Sequence, residues 1–250
     1  MLRYLNHAGG VLILAAATLF PALAQQEAFH KKFEVGLRVG YMPLKLLRNA
    51  DATTSYSSFI PPLEVKATSK PQARPVTGGP SLVYRFNNKW GLGVDALYRN
   101  AGYDEFVLTQ TIVDTAAGAT PVLYGYTNER TRATFWDIPV LLRYTRYQQK
   151  GWRPRTTGML GVSTRFVTGI ESYREIVNKN ANVYQTSQPI TPAYKTAPGA
   201  TIGLGMEWRD EIGVKMTVEG RYTRWQRDIF KNGATTSTRH TLEVLLGFSF

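Results

Sequence analysis

Phe33-Glu34-Val35-Gly36-Leu37-Arg38-Val39-Gly40-Tyr41 alternates without a break: every odd position is apolar or aromatic, and every even one is charged or glycine. Successive side chains of a β-strand point to opposite faces, so this stretch makes a strand with one greasy face and one charged or small face. The same period-2 pattern returns in seven more runs, Ser81–Phe86, Trp90–Arg99, Trp136–Tyr144, Thr157–Phe166, Thr201–Trp208, Ile212–Tyr222 and Thr241–Phe250. Leu97 is the exception in the third run, an apolar residue on the charged parity.

Runs of this length match the ~9–11 residues that a tilted strand needs to cross a bilayer, and an even number of them lets a sheet close on itself. The connections alternate in length. Asn87–Lys89, Arg146–Trp152 and Arg209–Glu211 are short, whereas Met42–Gly79, Gly102–Thr134, Val167–Ala197 and Gln226–Thr238 are long. Short turns on one side and long loops on the other are what a transmembrane barrel shows. Aromatic residues mark both strand ends: Phe33, Phe86, Trp90, Tyr144, Trp208 and Phe250 on the short-turn side, and Tyr41, Tyr98, Trp136, Phe166 and Tyr222 on the long-loop side. A soluble sandwich would bury its large rings mid-strand, whereas rings at the ends are the girdles of a membrane interface. The sequence therefore predicts an all-β fold, an eight-stranded antiparallel up-and-down transmembrane β-barrel with short periplasmic turns and long extracellular loops.

Composition agrees. Of 250 residues, 12% are aromatic, 22 are glycine and only 19% are charged, which favours strands and turns over helical bundles. The absence of cysteine excludes disulfide scaffolds, thiolate zinc sites and cysteine nucleophiles. At the N-terminus, Arg3 precedes an apolar run from Gly10 to Phe20 and then Pro21-Ala22-Leu23-Ala24. This reads as a signal peptide over residues 1–24, cleaved after Ala24, with residues 25–250 as the barrel domain. Thirty Lys+Arg against 18 Asp+Glu give a net charge of +12, but the bases are spread singly along the strands and only His30-Lys31-Lys32 clusters, so nucleic acid is not an expected partner.

The strand reading Phe135-Trp136-Asp137-Ile138-Pro139-Val140-Leu141-Leu142-Arg143-Tyr144 resembles those of the bacterial outer-membrane β-barrel proteins, and within them the small PorT-like β-barrel domain proteins. The resemblance covers about Phe33 to Phe250 and implies eight antiparallel strands in the outer membrane of a Gram-negative cell, with no particular activity. Phe248 and the terminal Phe250 look like the C-terminal signal read by the barrel-assembly machinery, although Leu245 stands where that signal often has glycine.

Parity places Glu34, Arg38, Arg85, Asp95, Arg99, Asp137, Arg143, Arg155, Arg165, Glu207, Lys215, Glu219, Arg221, Arg239 and Glu243 inside the barrel, nine bases with six acids. Eight strands enclose only enough room for their own side chains, so these charges are expected to pair into a plug; a narrow, anion-leaning, porin-like conduit is the alternative. Arg130, Arg132 and Arg224 fall on the lipid-facing parity beyond the outer aromatic belt, where cations meet lipid phosphate. The first long loop carries Lys45, Arg48, Lys66, Lys70 and Arg74 against Asp51 and Glu64, and is expected to lie against lipopolysaccharide. In the second, Phe106–Val113 and Val122–Tyr126 are expected to extend their strands as a hairpin whose edge could pair with a partner strand.

Chemistry is sparse. His240 is flanked by Ser237, Thr238 and Thr241 without the His-x-Ser pair of outer-membrane lipid A deacylases. Asp104-Glu105 is too little for calcium, no residue spacing suggests a metal, and no glycine-rich loop precedes a helix to cradle a phosphate, so no cofactor is expected. The reading is a non-enzymatic integral barrel acting through its extracellular loops in binding or envelope integrity, with a small-solute channel as the alternative and a lipid A hydrolase behind it. The extracellular ligand is not legible.

Overall fold

A computed structural model describes residues 32–44, 47, 50–58, 62–72, 76–111, 123–146, 154–178, 180, 182–210, 214–229, 231–232 and 235–250. The signal-peptide region, Lys45, Arg48, Arg74, Val113, Val122 and Ile212 lie outside these residues. The strands are β1 (Phe33–Tyr41), β2 (Ala50–Tyr56), β3 (Leu63–Gln72), β4 (Val76–Arg85), β5 (Trp90–Asp95), β6 (Leu97–Thr111), β7 (Leu123–Thr145), β8 (Arg155–Asn178), β9 (Val183–Pro189), β10 (Thr196–Arg209), β11 (Lys215–Trp225), β12 (Lys231–Asn232), β13 (Thr235–Thr236) and β14 (His240–Ser249).

The barrel consists of β1, β4, the continuous pair β5 and β6, then β7, β8, β10, β11 and β14, each antiparallel to its neighbours. It closes where β14 pairs with β1, from Gly36↔Ser249 to Tyr41↔Val244. Closure leaves no edge in the membrane, where an unpaired backbone group has no water to bond. The alternation read from the sequence holds strand by strand, as in β11, whose residues are alternately buried and exposed from Lys215 to Trp225. Outward-facing Leu160, Val162, Ile202 and Leu204 are 57–69% exposed with no second layer over them, which a soluble barrel would not tolerate on its wall.

Both aromatic belts form. On the short-turn side the rings of Phe33 and Tyr84 lie 4.9 Å apart and those of Trp90 and Tyr144 4.9 Å apart; on the opposite side Tyr98 and Trp136 meet at 5.4 Å. The β4–β5 turn is held by Asn87, whose side-chain oxygen accepts from the backbone N–H of Lys89 and Trp90, both at 2.8 Å. Inward-facing glycines make room for charged stems. A methyl at Gly205 would stand 2.8 Å from Glu219 Cγ, one at Gly203 3.1 Å from Arg221 Cγ, and one at Gly93 3.0 Å from Arg143 Nε. Small residues opposite large ones are how a narrow barrel fills its interior. Leu97 points inward and is fully buried, so the exception in the sequence pattern is a lumenal apolar residue and not a break in register.

Beyond the outer belt the long connections are mostly strand. β6, β7 and β8 run on past Tyr98, Trp136 and Phe166, and β3 pairs with β6 from Leu63↔Thr111 to Gln72↔Gly102. With β2 on β3 and β9 on β8 this makes a six-stranded blade, ordered β2, β3, β6, β7, β8, β9. Two expectations change. The first long connection is a hairpin in this sheet and not an irregular loop, because its Leu63–Gln72 segment supplies the hydrogen bonds that the β6 edge needs. That edge is therefore covered and unavailable to a partner; among the described residues the free edges of the blade are those of β2 and β9. In β8 the register slips at Thr168: Phe135 pairs with Val167 and Thr134 with Gly169. The extra residue is a β-bulge, and it moves the inward parity from odd (Arg165) to even (Ile170, Ser172).

Candidate functional site

The lumen holds the densest chemistry, in three tiers. Nearest the short turns, Glu34 on β1 and Glu207 on β10 are each bridged by both Arg85 and Lys215, at 3.0 and 2.7 Å for Glu34 and 3.0 and 3.1 Å for Glu207. This is a closed ring of two bases and two acids.

In the middle tier three arginines share two carboxylates. Arg38 reaches Asp95 at 2.9 Å and Glu219 at 2.7 Å, Arg221 reaches both at 2.7 Å, and Arg143 pairs with Glu219. Ser81 accepts a further bond from Arg38 at 3.0 Å. In the outer tier Asp137 is gripped bidentately by Arg165, at 2.6 and 2.8 Å, and also by Arg99, which bonds Glu243. A forked arginine–carboxylate pair fixes direction as well as distance.

Seven bases thus face six acids, all within hydrogen-bond reach of an opposite charge, and twelve of the thirteen are buried. The thirteenth, Arg85, is 16% exposed. Two further bases of the inward parity stand outside these tiers. Arg239 lies outside β14 on the outer rim, exposed and paired with Asp228 at 2.9 Å, because the strand begins one residue later. Arg155 is half-buried at the opposite end, apart from the three tiers.

Above the outer tier lies an apolar cap that the sequence did not disclose. Met42, Leu47, Tyr103, Phe135, Ile170, Trp225 and Ile229 form one buried cluster. The first and last outer connections meet over it through a bridge between Leu47 and Ser237. Trp225 donates to Thr241 at 2.9 Å, and its ring lies 4.1 Å from the Arg165 guanidinium, which joins cap to plug. The available signal was Trp225, an aromatic on the inward parity four residues past Arg221.

The lipid-phosphate candidates do not form one site. Arg130 and Arg132 share the outward face of β7, where Arg130 pairs with Asp104 at 3.0 Å. Arg224 is on β11, across β8 and β10, facing His240. His240 Nδ1 lies 2.5 Å from the Tyr222 hydroxyl, which occupies the position a nucleophile would need. Phe248 faces outward, and Phe250 is anchored by its N–H donating to Val35 O at 3.0 Å. Leu245, in the place of the expected glycine, is completely buried in the lumen.

On the inner face of the blade Glu105 and Glu129 are direct cross-strand partners, both buried. Burial raises the Glu105 carboxyl above its ordinary range, and the Glu129 charge adds to this. Burial also pushes Glu129 up, but hydrogen bonds from Ser172 at 2.7 Å and Arg174 at 2.7 Å outweigh it and hold that carboxyl low. Sequence reasoning missed the pair's third member because the Thr168 bulge turns Arg174 inward.

A carboxyl whose folded-state pKa is raised contributes its stability at low pH and loses it as pH rises through that value. Glu105→Gln is therefore expected to stabilise the blade by about 0.2–1 kcal/mol at neutral pH. The gain should vanish on acidification below the ordinary carboxylate range. Amide-exchange protection factors in β6 and β7, compared between variant and parent across pH, check both the size and the sign.

A closed barrel with girdled ends, an unlayered apolar wall and a charged, filled interior defines an integral membrane β-barrel protein. The family follows from the sequence match: residues 23–230 fit the outer membrane protein beta-barrel domain, and the chain belongs to that family. It is this broad family, and not a PorT-like subgroup, that the match establishes.

Among solved structures, Ail of Yersinia pestis is similar at 11% identity over 88% of this chain and 99% of that one, with a TM-score of 0.29. The translocator domain of the autotransporter NalP from Neisseria meningitidis is similar at 8% identity over 99% and 98%, TM-score 0.27. The outer membrane protease OmpT from Escherichia coli is similar at 10% identity over 90% and 97%, TM-score 0.26. No curated protein matches the chain in sequence.

Proposed function

We propose that this chain is a non-conducting, non-enzymatic outer-membrane protein that works at the cell surface through its six-stranded blade, in binding or in holding the envelope together. Export through a cleaved leader at residues 1–24 and insertion by the barrel-assembly machinery, guided by Phe248 and Phe250, belong to the same reading. The observation that carries it is the paired lumen beneath an apolar cap: Asp137 alone holds two arginines, and Leu47 and Trp225 close the mouth above them. An ion crossing here would have to displace buried, charge-assisted pairs, which an eight-stranded interior leaves no room to do.

The test is planar-bilayer conductance of the refolded chain, checked first for a heat-modifiable gel band. No discrete steps are expected at any salt concentration. Stable steps would overturn the reading and bring forward the anion-leaning channel, since the lumen carries one base in excess. In parallel, lipid A incubated with the barrel should be recovered unchanged; deacylation abolished by His240→Ala would make the protein a hydrolase.

A further inference from the structure

The outward face of the blade carries a groove that rises from the membrane. Its lower part, about 270 Å³, is lined by Arg132, Arg130 and Tyr173. Its upper part, about 600 Å³, shares Arg130 and Tyr173 and adds Phe106, Asn128 and Glu175. Register puts these residues in successive outward rows above Tyr98 and Trp136: Arg132 with Glu171, then Asp104, Arg130 and Tyr173, then Phe106, Asn128 and Glu175. From the belt to the Arg130 row is six residues, about 20 Å along a strand and roughly 15 Å above the belt for a strand tilted ~40°. An ordinary phospholipid headgroup layer is only about 5–8 Å deep, so a lipid reaching this groove carries a long headgroup.

The charge balance says what kind. Lys70, Arg130 and Arg132 are matched by Asp104, Glu171 and Glu175 on the outward face, Glu105 and Glu129 also border the groove, and Arg130 is already tied to Asp104 at 3.0 Å. With no excess of bases, the groove does not select its occupant by negative charge. What remains is two half-exposed rings, Phe106 at 42% and Tyr173 at 44%, with hydrogen-bonding groups between them. Sparse, directed polar groups among aromatic walls suit a sugar ring, which offers an apolar C–H face and a rim of hydroxyls, and the volume falls within the ~300–1,000 Å³ of small-ligand pockets.

We propose that this groove seats the saccharide headgroup of a neighbouring lipopolysaccharide, its sugar rings against Phe106 and Tyr173 and its innermost phosphates beside Arg132. The occupant is a glycolipid of the same leaflet because the groove lies on the outward face of the blade, begins at Arg132 just above the headgroup layer and extends upward to the height of a sugar layer. The assignment rests on the reading of the blade as a binding surface and names what that surface binds.

The experiment uses the full barrel in lipid nanodiscs, offered lipopolysaccharide with its complete core, the same lipid stripped of core sugars, the released core oligosaccharide, and inorganic phosphate. The complete lipid and the free oligosaccharide should bind, and binding should persist in 0.5 M salt. Phe106→Ala combined with Tyr173→Ala should weaken oligosaccharide binding about tenfold, while Arg224→Ala on the far wall changes nothing. Both rings are exposed, so these variants should give the same heat-modifiable band as the parent.

Equal retention of the stripped lipid, or indifference to loss of both rings, would overturn the proposal. Competition by inorganic phosphate with dependence on Arg132 alone would reduce the site to headgroup electrostatics and overturn it too. Protection of the β9 amides by an extended peptide, with no sugar bound, would give the face to a protein partner instead. None of these outcomes alters bilayer silence, so the groove can fail while the non-conducting reading stands.

Discussion

Glu219→Ala is expected to lower the stability of the folded barrel by about 3–5 kcal/mol, because removing one partner from a buried charge group strands the others. Glu219 is the common partner of Arg38, Arg143 and Arg221. Without it three guanidinium groups share Asp95 in a space from which solvent is excluded. Urea unfolding in lipid vesicles, followed by the loss of the fast-migrating gel band, measures the effect. Arg239→Ala is the control, since its pair with Asp228 is exposed and screened by water. A Glu219 effect no larger than that of Arg239 would mean that the plug is wetter and looser than its geometry implies.

The second large effect separates the two faces of one strand. Val140 lies outward at mid-membrane, between Val94 and Val162 on the neighbouring strands, so Val140→Arg should cost about 2–4 kcal/mol. Leu141, one residue on, is buried in the lumen beside Gly93 and Gly161. Leu141→Arg is expected to cost about 1–3 kcal/mol by overpacking. The depth profile distinguishes the mechanisms. Arginine at Ile138, Val140 and Leu142 should show a cost that peaks at 140, whereas arginine at lumenal positions of the same strand should show no such peak. Equal depth dependence on both parities would refute the assignment of faces.

The wall of the barrel was legible in the sequence because a bilayer imposes a simple rule: each crossing strand must be apolar on every second residue and ringed at its ends. β1 and the membrane-crossing part of β7 obey it without exception, β11 departs from it at Gly220 and β14 lacks an aromatic ring at its outer end, and parity alone assigned the lumenal residues of all three tiers. Which charge meets which was not legible, since partners come from strands set by shear and closure. Glu34, for example, meets Arg85 and Lys215 on opposite sides of β1. Arg239 was misplaced because an element's end is set by backbone pairing and not by alternation.

The blade was only half visible. The extensions of β6 and β7 show in the pattern at Phe106–Thr111 and Leu123–Tyr126, but no bilayer disciplines side chains above the membrane, so β2, β3 and β9 alternate weakly. The single extra residue at Thr168 then reverses the faces of the rest of β8, hiding Ile170, Ser172 and Arg174 from any reading that counts by twos. The cap was hidden for a different reason: Met42, Leu47, Trp225 and Ile229 come from distant connections and share no local pattern.

The connectivity of the plug also bears on how the barrel is made. Glu34 on the first strand bonds Lys215, 181 residues on, and Arg99 bonds Glu243, 144 residues on. The innermost ring therefore cannot be completed until β11 arrives, nor the outermost tier until the final strand does. A half-built sheet would expose several unpaired charges to hydrocarbon, a state too costly to accumulate. Assembly should thus lack a stable partly inserted species: the growing sheet stays wet until its last strand reaches its first, and desolvation of the interior and seam closure become a single, slow, all-or-none event.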